Sequence, residues 1–228
     1  MVPRLAVIDF ETTGISPTQG DRATEVALVL MEGARVVDRF ASLMNAGVRV
    51  PSFITQLTGI SNTMVQAAPP AAQVMADAAR FVAGVPLVAH NAAFDRKFWQ
   101  AELALAGLDG THPFACTVLL SRRLFPQAPS HKLGELATLL SLPRSGRAHR
   151  ALADAEVTAE LLARMLHELR TQYRVGEPDH ALLQAIGQCP KAKLPDFFAQ
   201  RARAAREVAL AAATSPLGRH VYTVPARP

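Results

Sequence analysis

The chain has 228 residues, half of them apolar and 19% charged, which excludes a disordered or fibrous chain and allows a core large enough to stand without disulfides. No apolar run approaches the ~20 residues that cross a bilayer, and Asp9 and Glu11 interrupt the one apolar stretch near the start, so neither a membrane span nor a signal peptide is expected and a cytoplasmic location is. The net charge of +5 suits a polyanionic partner, and Cys116 and Cys189, far apart and without ligand-like companions, read as ordinary reduced thiols.

In chain order, Leu5 to Glu11 alternates and is rich in branched residues, Glu25 to Met31 is a second strand, and Glu32-Gly33 turns it back into Arg35 to Leu43, an antiparallel meander. A helix starts near Pro70, where a first-turn proline is tolerated, and runs through Val74 and Ala78 towards Phe81. Pro86 to His90 reads as a short buried strand, Ala93 to Ala106 as a helix stopped at Gly107, and Phe114 as part of a further strand. Helices then fit Thr117 to Leu124, Lys132 to Leu140 and Ala151 to Leu169. Hairpin strands followed by strands alternating with helices predict an α/β fold, a mixed five-stranded sheet with helices on both faces.

This domain is expected to occupy residues 1–174. Beyond it the composition shifts: Pro190, Pro195, Pro216, Pro225 and Pro228 punctuate the chain, Phe197 to Ala213 is an Ala- and Arg-rich helical stretch, and seven basic residues face four acidic ones. Residues 175–228 therefore read as a basic, partly helical appendage suited to packing on the main body or on another protein.

Four carboxylates stand where apolar residues are expected. Asp9 and Glu11 end the run Leu5-Ala6-Val7-Ile8 and, two apart on a strand, project from the same face. Asp95 shares a helical stripe with Phe98, Trp99, Leu103 and Ala106, and Asp154 one with Val157, Leu161 and Met165, so both face inward. Buried carboxylates need a cation or a partner, and four of them form the ligand set of two hard divalent ions such as Mg²⁺ or Mn²⁺. His149, five residues before Asp154 and after Pro143, Ser145 and Gly146, belongs to a loop beside this set, where an imidazole is placed to act as general base. His90, His112, His131, His167, His180 and His220 read as ordinary solvated histidines.

Together, Val7-Ile8-Asp9-Phe10-Glu11-Thr12-Thr13-Gly14, His90-Asn91-Ala92-Ala93-Phe94-Asp95 and His149-Arg150-Ala151-Leu152-Ala153-Asp154 resemble the three exonuclease motifs of the histidine-containing branch of the DEDD superfamily, nearest to the epsilon proofreading subunit of bacterial DNA polymerase III. The resemblance covers about residues 4–170 and implies a ribonuclease H-like fold. It implies that Asp9, Glu11, Asp95 and Asp154 hold two metal ions, with Glu11 and His149 serving the chemistry and His149 deprotonating the attacking water. It also implies that Thr12 and Thr13 contact the terminal nucleotide through backbone and hydroxyl groups. By the same resemblance Leu57 and Ile60 wedge or stack against the last bases, the alternative being core packing, and Asn91 and Phe94 contact substrate or fix the turn that presents Asp95. Among basic residues near the motifs, Arg96, Lys97, Arg144, Arg147 and Arg150, the two in the His149 loop, Arg144 and Arg147, are the favoured phosphate contacts.

The expected activity is metal-dependent 3′-to-5′ hydrolysis of single-stranded or frayed DNA ends, releasing nucleoside 5′-monophosphates. The same-class alternative is an exoribonuclease or oligoribonuclease, and the alternative of another class is an inactive module that binds nucleic acid or a polymerase. A polymerase subunit is a possible partner for the appendage, although no clamp-binding segment stands between Gln172 and Lys193, which leaves proofreading and stand-alone repair or turnover both open.

Overall fold

The meander forms as expected from β1 (Arg4–Thr12), β2 (Ala23–Glu32) and β3 (Arg35–Leu43) in this computed structural model, which describes residues 2–144 and 146–214. β1 pairs antiparallel with β2 from Arg4↔Glu32 to Glu11↔Glu25, with an irregularity between Glu11 and Thr12. β4 (Leu87–Ala89) joins the other side of β1 in parallel and β5 (Phe114–Cys116) joins β4 in parallel, giving the order β3-β2-β1-β4-β5. The central β1 is covered on both faces, which is why its first residues are almost continuously apolar, whereas β3 is an edge strand with no fully buried residue.

Helices cover both faces, as predicted. On one, α3 (Ala71–Val82) and α4 (Ala92–Leu105) pack Val74, Met75, Phe98, Trp99 and Leu103 against Ile8, Phe10, Val26 and Leu28. Across the other lies α7 (Ala151–Thr171), in contact with β1 and β2 and flanked by α5 (Thr117–Leu124) and α6 (Leu133–Leu139). Leu161, Leu162, Met165 and Leu166 of α7 are buried, each contributing about 1.5–3 kcal/mol by burial. Among the described residues, no helix is long and apolar enough to cross a membrane.

Three helices were not anticipated. α1 (Ser52–Thr58) and α2 (Asn62–Gln66) are short and carry β-branched Ile54, Thr55, Thr58, Thr63 and Val65, so propensity does not announce them. They are held by a small cluster of Val50, Ile54, Ile60 and Val65 and by the Ser61 hydroxyl, which accepts from the Met64 amide. α8 (His180–Gln188) packs on α5 and β5; Gln184 Nε2 donates to the Phe114 carbonyl at 2.9 Å and His180 Nε2 to the Leu87 carbonyl at 2.9 Å. The first compact unit accordingly runs through Gln188, past the boundary at 174 expected from composition, and the second begins at Cys189. The second unit contains α9 (Leu194–Thr214), which spans the helix expected from Phe197 to Ala213. Pro216, His220, Pro225 and Pro228 lie outside the described residues.

Candidate active site

Strand alternation delivers the first pair of carboxylates. Phe10 turns into the core under α3 and α4, so Asp9 and Glu11 on either side of it face the opposite way. β1 and β4 run parallel, and their carboxyl ends meet where the chain leaves the sheet, the usual place for a ligand in an open α/β sheet. Beyond β4 the chain turns through Asn91, in the left-handed region at φ 69°, and enters α4 with Asp95 buried in its first turn. His149, also left-handed at φ 59°, precedes α7, whose first turn holds Asp154. Its backbone amide donates to Asp154 Oδ2 at 3.1 Å. Ligand atoms of Glu11, His149 and Asp154 lie within 4.8 Å of one another.

Two ion pairs, each built on a buried carboxylate, fasten these elements. Glu25, opposite Glu11 in the β1/β2 ladder and only 4% exposed, accepts Arg150 Nε at 3.0 Å, Arg150 Nη2 at 2.7 Å and the Ala151 amide at 3.0 Å. One carboxylate thus caps α7 and pins the residue between His149 and the helix. Glu102 on α4, equally buried, accepts Arg22 Nε and Nη2 and the Ala23 amide, each at 2.9 Å. Both Asp-bearing helices are therefore tied to the amino-terminal part of β2. The signal in the sequence was a charge within apolar surroundings, Glu25 in Ala23-Thr24-Glu25-Val26-Ala27 and Glu102 seven residues after Asp95 on the same helical face.

The electrostatics of the cluster are those of too many negative charges. Burial, then Asp95, Glu11, Asp154 and Glu25, hold the Asp9 carboxyl well above its ordinary range. Glu11 is pushed up to about 8 by burial and by Asp154 and Glu25, with the Arg150 guanidinium pulling the other way. Burial likewise raises Asp95 to about 8, against the hydrogen bonds from its own amide and that of Phe10, and raises Asp154 against the His149 amide. Four carboxylates destabilised in their charged form, with oxygen donors and an imidazole converging, fit hard divalent cations.

The cleft beside them has a volume of about 600 Å³ and is bordered by Asp9, Glu11, Asp154 and His149 on one side and by apolar side chains on the other. Ile15, Phe53 and Leu57 form exposed apolar lips, at 75%, 63% and 48% exposure, and Phe94 lines the wall. Leu57 was expected here. Ile15 and Phe53 were missed, the first because it follows the motif in a loop and the second because α1 was not anticipated.

Other expected contacts are placed differently. Ile60 is fully buried with Val50, Ile54 and Val65, so its side chain serves the core and does not reach a base. Thr12 and Thr13 border the cleft, but the Thr12 hydroxyl donates to the Gly14 carbonyl at 2.6 Å and the Thr13 hydroxyl accepts the Arg22 amide at 3.0 Å, so both hydroxyls shape the loop. A side chain at Gly14 would strike the Asp21 carboxylate, which accepts the Ser16 amide at 2.9 Å in the same loop. Asn91 forms the turn before α4 and is not among the residues that border the cleft.

Of the basic candidates, Arg150 is paired with Glu25, Lys97 donates to the Ile15 carbonyl and lies over the Phe94 ring, and Arg144 Nη2 donates to the Gly134 carbonyl at 2.7 Å. Arg147 lies against Gly59, the left-handed cap of α1, while Arg96 is exposed. The solvated reading fails for His180, buried, and His90, half-buried, both hydrogen-bonded, and for His131, whose Nδ1 lies 2.9 Å from the Ser121 hydroxyl. His90 Nε2 donates to the His131 carbonyl at 3.0 Å and Nδ1 lies 2.9 Å from the Thr117 hydroxyl; burial pushes its pKa down to about 4.

Comparison with known proteins places these observations in a family context. The RNase T family model, described as exonuclease, matches residues 6–162. The 3′-5′ exonuclease DinG of Bacillus subtilis is 41% identical over 168 residues, 73% of this chain and 18% of that protein. The DNA polymerase III subunit epsilon of Aquifex aeolicus is 33% identical over 172 residues, 75% of this chain and 84% of that protein. Among solved structures, exonuclease X in complex with 5′ overhanging duplex DNA superposes with a TM-score of 0.62 at 24% identity, covering 80% of this chain and 99% of that one. The chain spans less than a fifth of DinG, whose remaining length has no counterpart in the match.

Proposed function

The chain belongs to the RNase T exonuclease family, and on that premise we propose that it is a 3′-to-5′ exonuclease that removes nucleoside 5′-monophosphates from single-stranded or frayed DNA ends. The observation that carries this reading is the convergence of Asp9, Glu11, Asp154 and His149 at one cleft, with the buried Asp95 interacting with Asp9 and Glu11 behind it, and with the carboxyls of Asp9, Glu11, Asp95 and Asp154 all raised. The family implies divalent metal ions; the finer reading is two, Mg²⁺ or Mn²⁺, held by the four carboxylates. When bound, such ions neutralise the cluster and offset the negative charge that accumulates as a phosphodiester is attacked in line.

The chain's own residues account for the remaining steps. Ile15, Phe53, Leu57 and Phe94 give the terminal nucleoside an apolar seat, which sets the last phosphodiester against the carboxylates. The imidazole of His149, within 4.8 Å of Glu11 and Asp154 oxygens, accepts the proton of the attacking water. As the new P–O bond forms, the bond to the 3′ oxygen of the preceding nucleotide breaks, and that oxygen leaves with a proton from solvent. Glu25 and Arg150 hold the His149 loop and the first turn of α7 in register during this, and Glu102 and Arg22 do the same for α4. Preorganisation of this kind is how a fixed constellation lowers a barrier without moving.

The test is digestion of 5′-labelled strands of DNA and RNA of equal length, with Mg²⁺ or with chelator, alongside Asp154→Ala. Stepwise shortening of the DNA strand that chelator and the substitution both abolish is the expected result. A full-length DNA strand under all conditions refutes it, and faster shortening of the RNA moves the substrate to the ribonucleotide class.

A further inference from the structure

Three recesses lead away from the cleft and share their borders. The first, between α6 and α7, is bounded by Lys132, Arg144, His149 and Asp154, the last two of which also border the cleft. Lys132 also borders the second, together with Asn91 and Arg122. Asn91 and Arg122 in turn border the third, which reaches Arg96. Among the described residues, Glu135 and Asp154 are the only carboxylates bordering any of the three.

The sequence concentrates charge in the same stretch of chain, of which Arg122, Lys132 and Arg144 border the recesses. Between Asp109 and Asp154, six cations, Arg122, Arg123, Lys132, Arg144, Arg147 and Arg150, face the single carboxylate of Glu135. That stretch alone carries +5, the net charge of the whole chain, so everything outside it sums to zero. Arg122 and Lys132 are exposed, and among the described residues neither side chain pairs with a carboxylate.

The geometry points to this path as the binding track for the substrate strand on the 5′ side of the scissile bond. This rests on the exonuclease reading of the cleft. With the terminal nucleoside between the apolar lips and the reacting phosphate at the carboxylates, the next phosphates leave on the side of the carboxylates away from the lips. The first recess shares His149 and Asp154 with the cleft and is bordered by none of the lip residues. Arg144, Lys132, Arg122 and Arg96 then follow one another as cationic stations, and contacts to phosphate hold a strand without reading its bases. Each phosphate neutralised on a single strand releases counterions, adding about 0.7 to the slope of log affinity against log salt.

Arg122→Glu/Lys132→Glu, at the two junctions of the path, tests this against Arg122→Ala/Lys132→Ala and the unaltered chain. Two substrates are used, a 20-nucleotide single strand and the p-nitrophenyl ester of thymidine 5′-monophosphate, which is too small to reach the track. The expected result is an ester rate within about twofold of the unaltered chain, a KM for the 20-mer raised about tenfold or more, and a salt slope lower by at least about 1.4, with the alanine pair lowering the slope by about 1.4 and raising KM less. An unchanged KM and salt slope for the 20-mer overturn the track. So does equal loss on both substrates, which would assign the side chains to the cleft or the fold. Failure of the unaltered chain to cleave either substrate with Mg²⁺ or Mn²⁺ refutes the exonuclease reading itself, an outcome distinct from the other two.

Discussion

Glu11→Gln is expected to stabilise the cation-free protein while nearly abolishing turnover. The Glu11 carboxyl stands at about 8 against an ordinary 4.5, a raised value in the folded state, so stability is fully present below 4.5 and lost as pH rises through about 8. At pH 7.5 the difference amounts to roughly 4 kcal/mol of lost stability. A repulsion of about 3 kcal/mol between unit charges at the separation of the Glu11 and Asp154 oxygens, in a medium of effective dielectric near 20, is of the same order. The buried amide that replaces the acid has its own desolvation penalty of about 1–3 kcal/mol, which leaves a net gain of about 1–3 kcal/mol. For a domain of this size each kcal/mol moves Tm by about 2–4 °C. The assay is thermal unfolding in chelator at pH 7.5 and 5.5, repeated with saturating Mg²⁺. Glu11→Gln should melt at least about 3 °C above the unaltered chain at pH 7.5, lose that advantage at pH 5.5, and fall below it when the cation is present. An equal or lower Tm in chelator at pH 7.5, or a gain independent of pH, would refute the claim that the site is held under electrostatic strain relieved by cations.

The remaining predictions concern how the site is operated and supported. His149→Ala should slow turnover about 10²–10⁴-fold while cation-induced stabilisation persists; parallel loss of both would make the imidazole a ligand and not a base. Arg150→Ala should lower kcat at least about tenfold with KM for the 20-mer little changed, because Asp154 and His149 lose their registration, and Arg150→Lys should not restore it because an ammonium cannot make the paired bonds to Glu25. His90 has a lowered folded pKa, about 4, so the stability it contributes is present above 6.5 and lost as pH falls from 6.5 towards 4. Urea unfolding should therefore show roughly 2 kcal/mol of loss between pH 7 and 5, and His90→Gln should flatten that limb.

The meander, the helices on both sheet faces and the four carboxylates were legible because strand and helix periods write burial directly into sequence. Asp95 and Asp154 stood out for sitting on apolar stripes, and they are held in that position in the structure. What escaped was short or cooperative. α1 and α2 owe their existence to a few buried contacts, α8 to packing on α5 and β5, and Phe53 became a lip of the cleft only once α1 was in place. Ile60 and Leu57, three residues apart, were indistinguishable as text; the turn at Gly59 sends one into a core and leaves the other exposed.

The +5 of the composition indicated a polyanion but not its location. By sequence the excess lies in the tail, because +3 falls after Arg174 and only +2 before it. The fold redistributes that +2: the buried Glu25 and Glu102 neutralise Arg150 and Arg22, the carboxylate cluster gathers at one end of the sheet, and Lys132 and Arg144 border a recess that shares His149 and Asp154 with the cleft. Which residues are buried follows from the period of the chain, and the sequence by itself determined that much, together with the carboxylates that are proposed to serve the chemistry. Which charges face each other depends on contacts between residues about 80 to 125 positions apart, and only the tertiary structure could decide those.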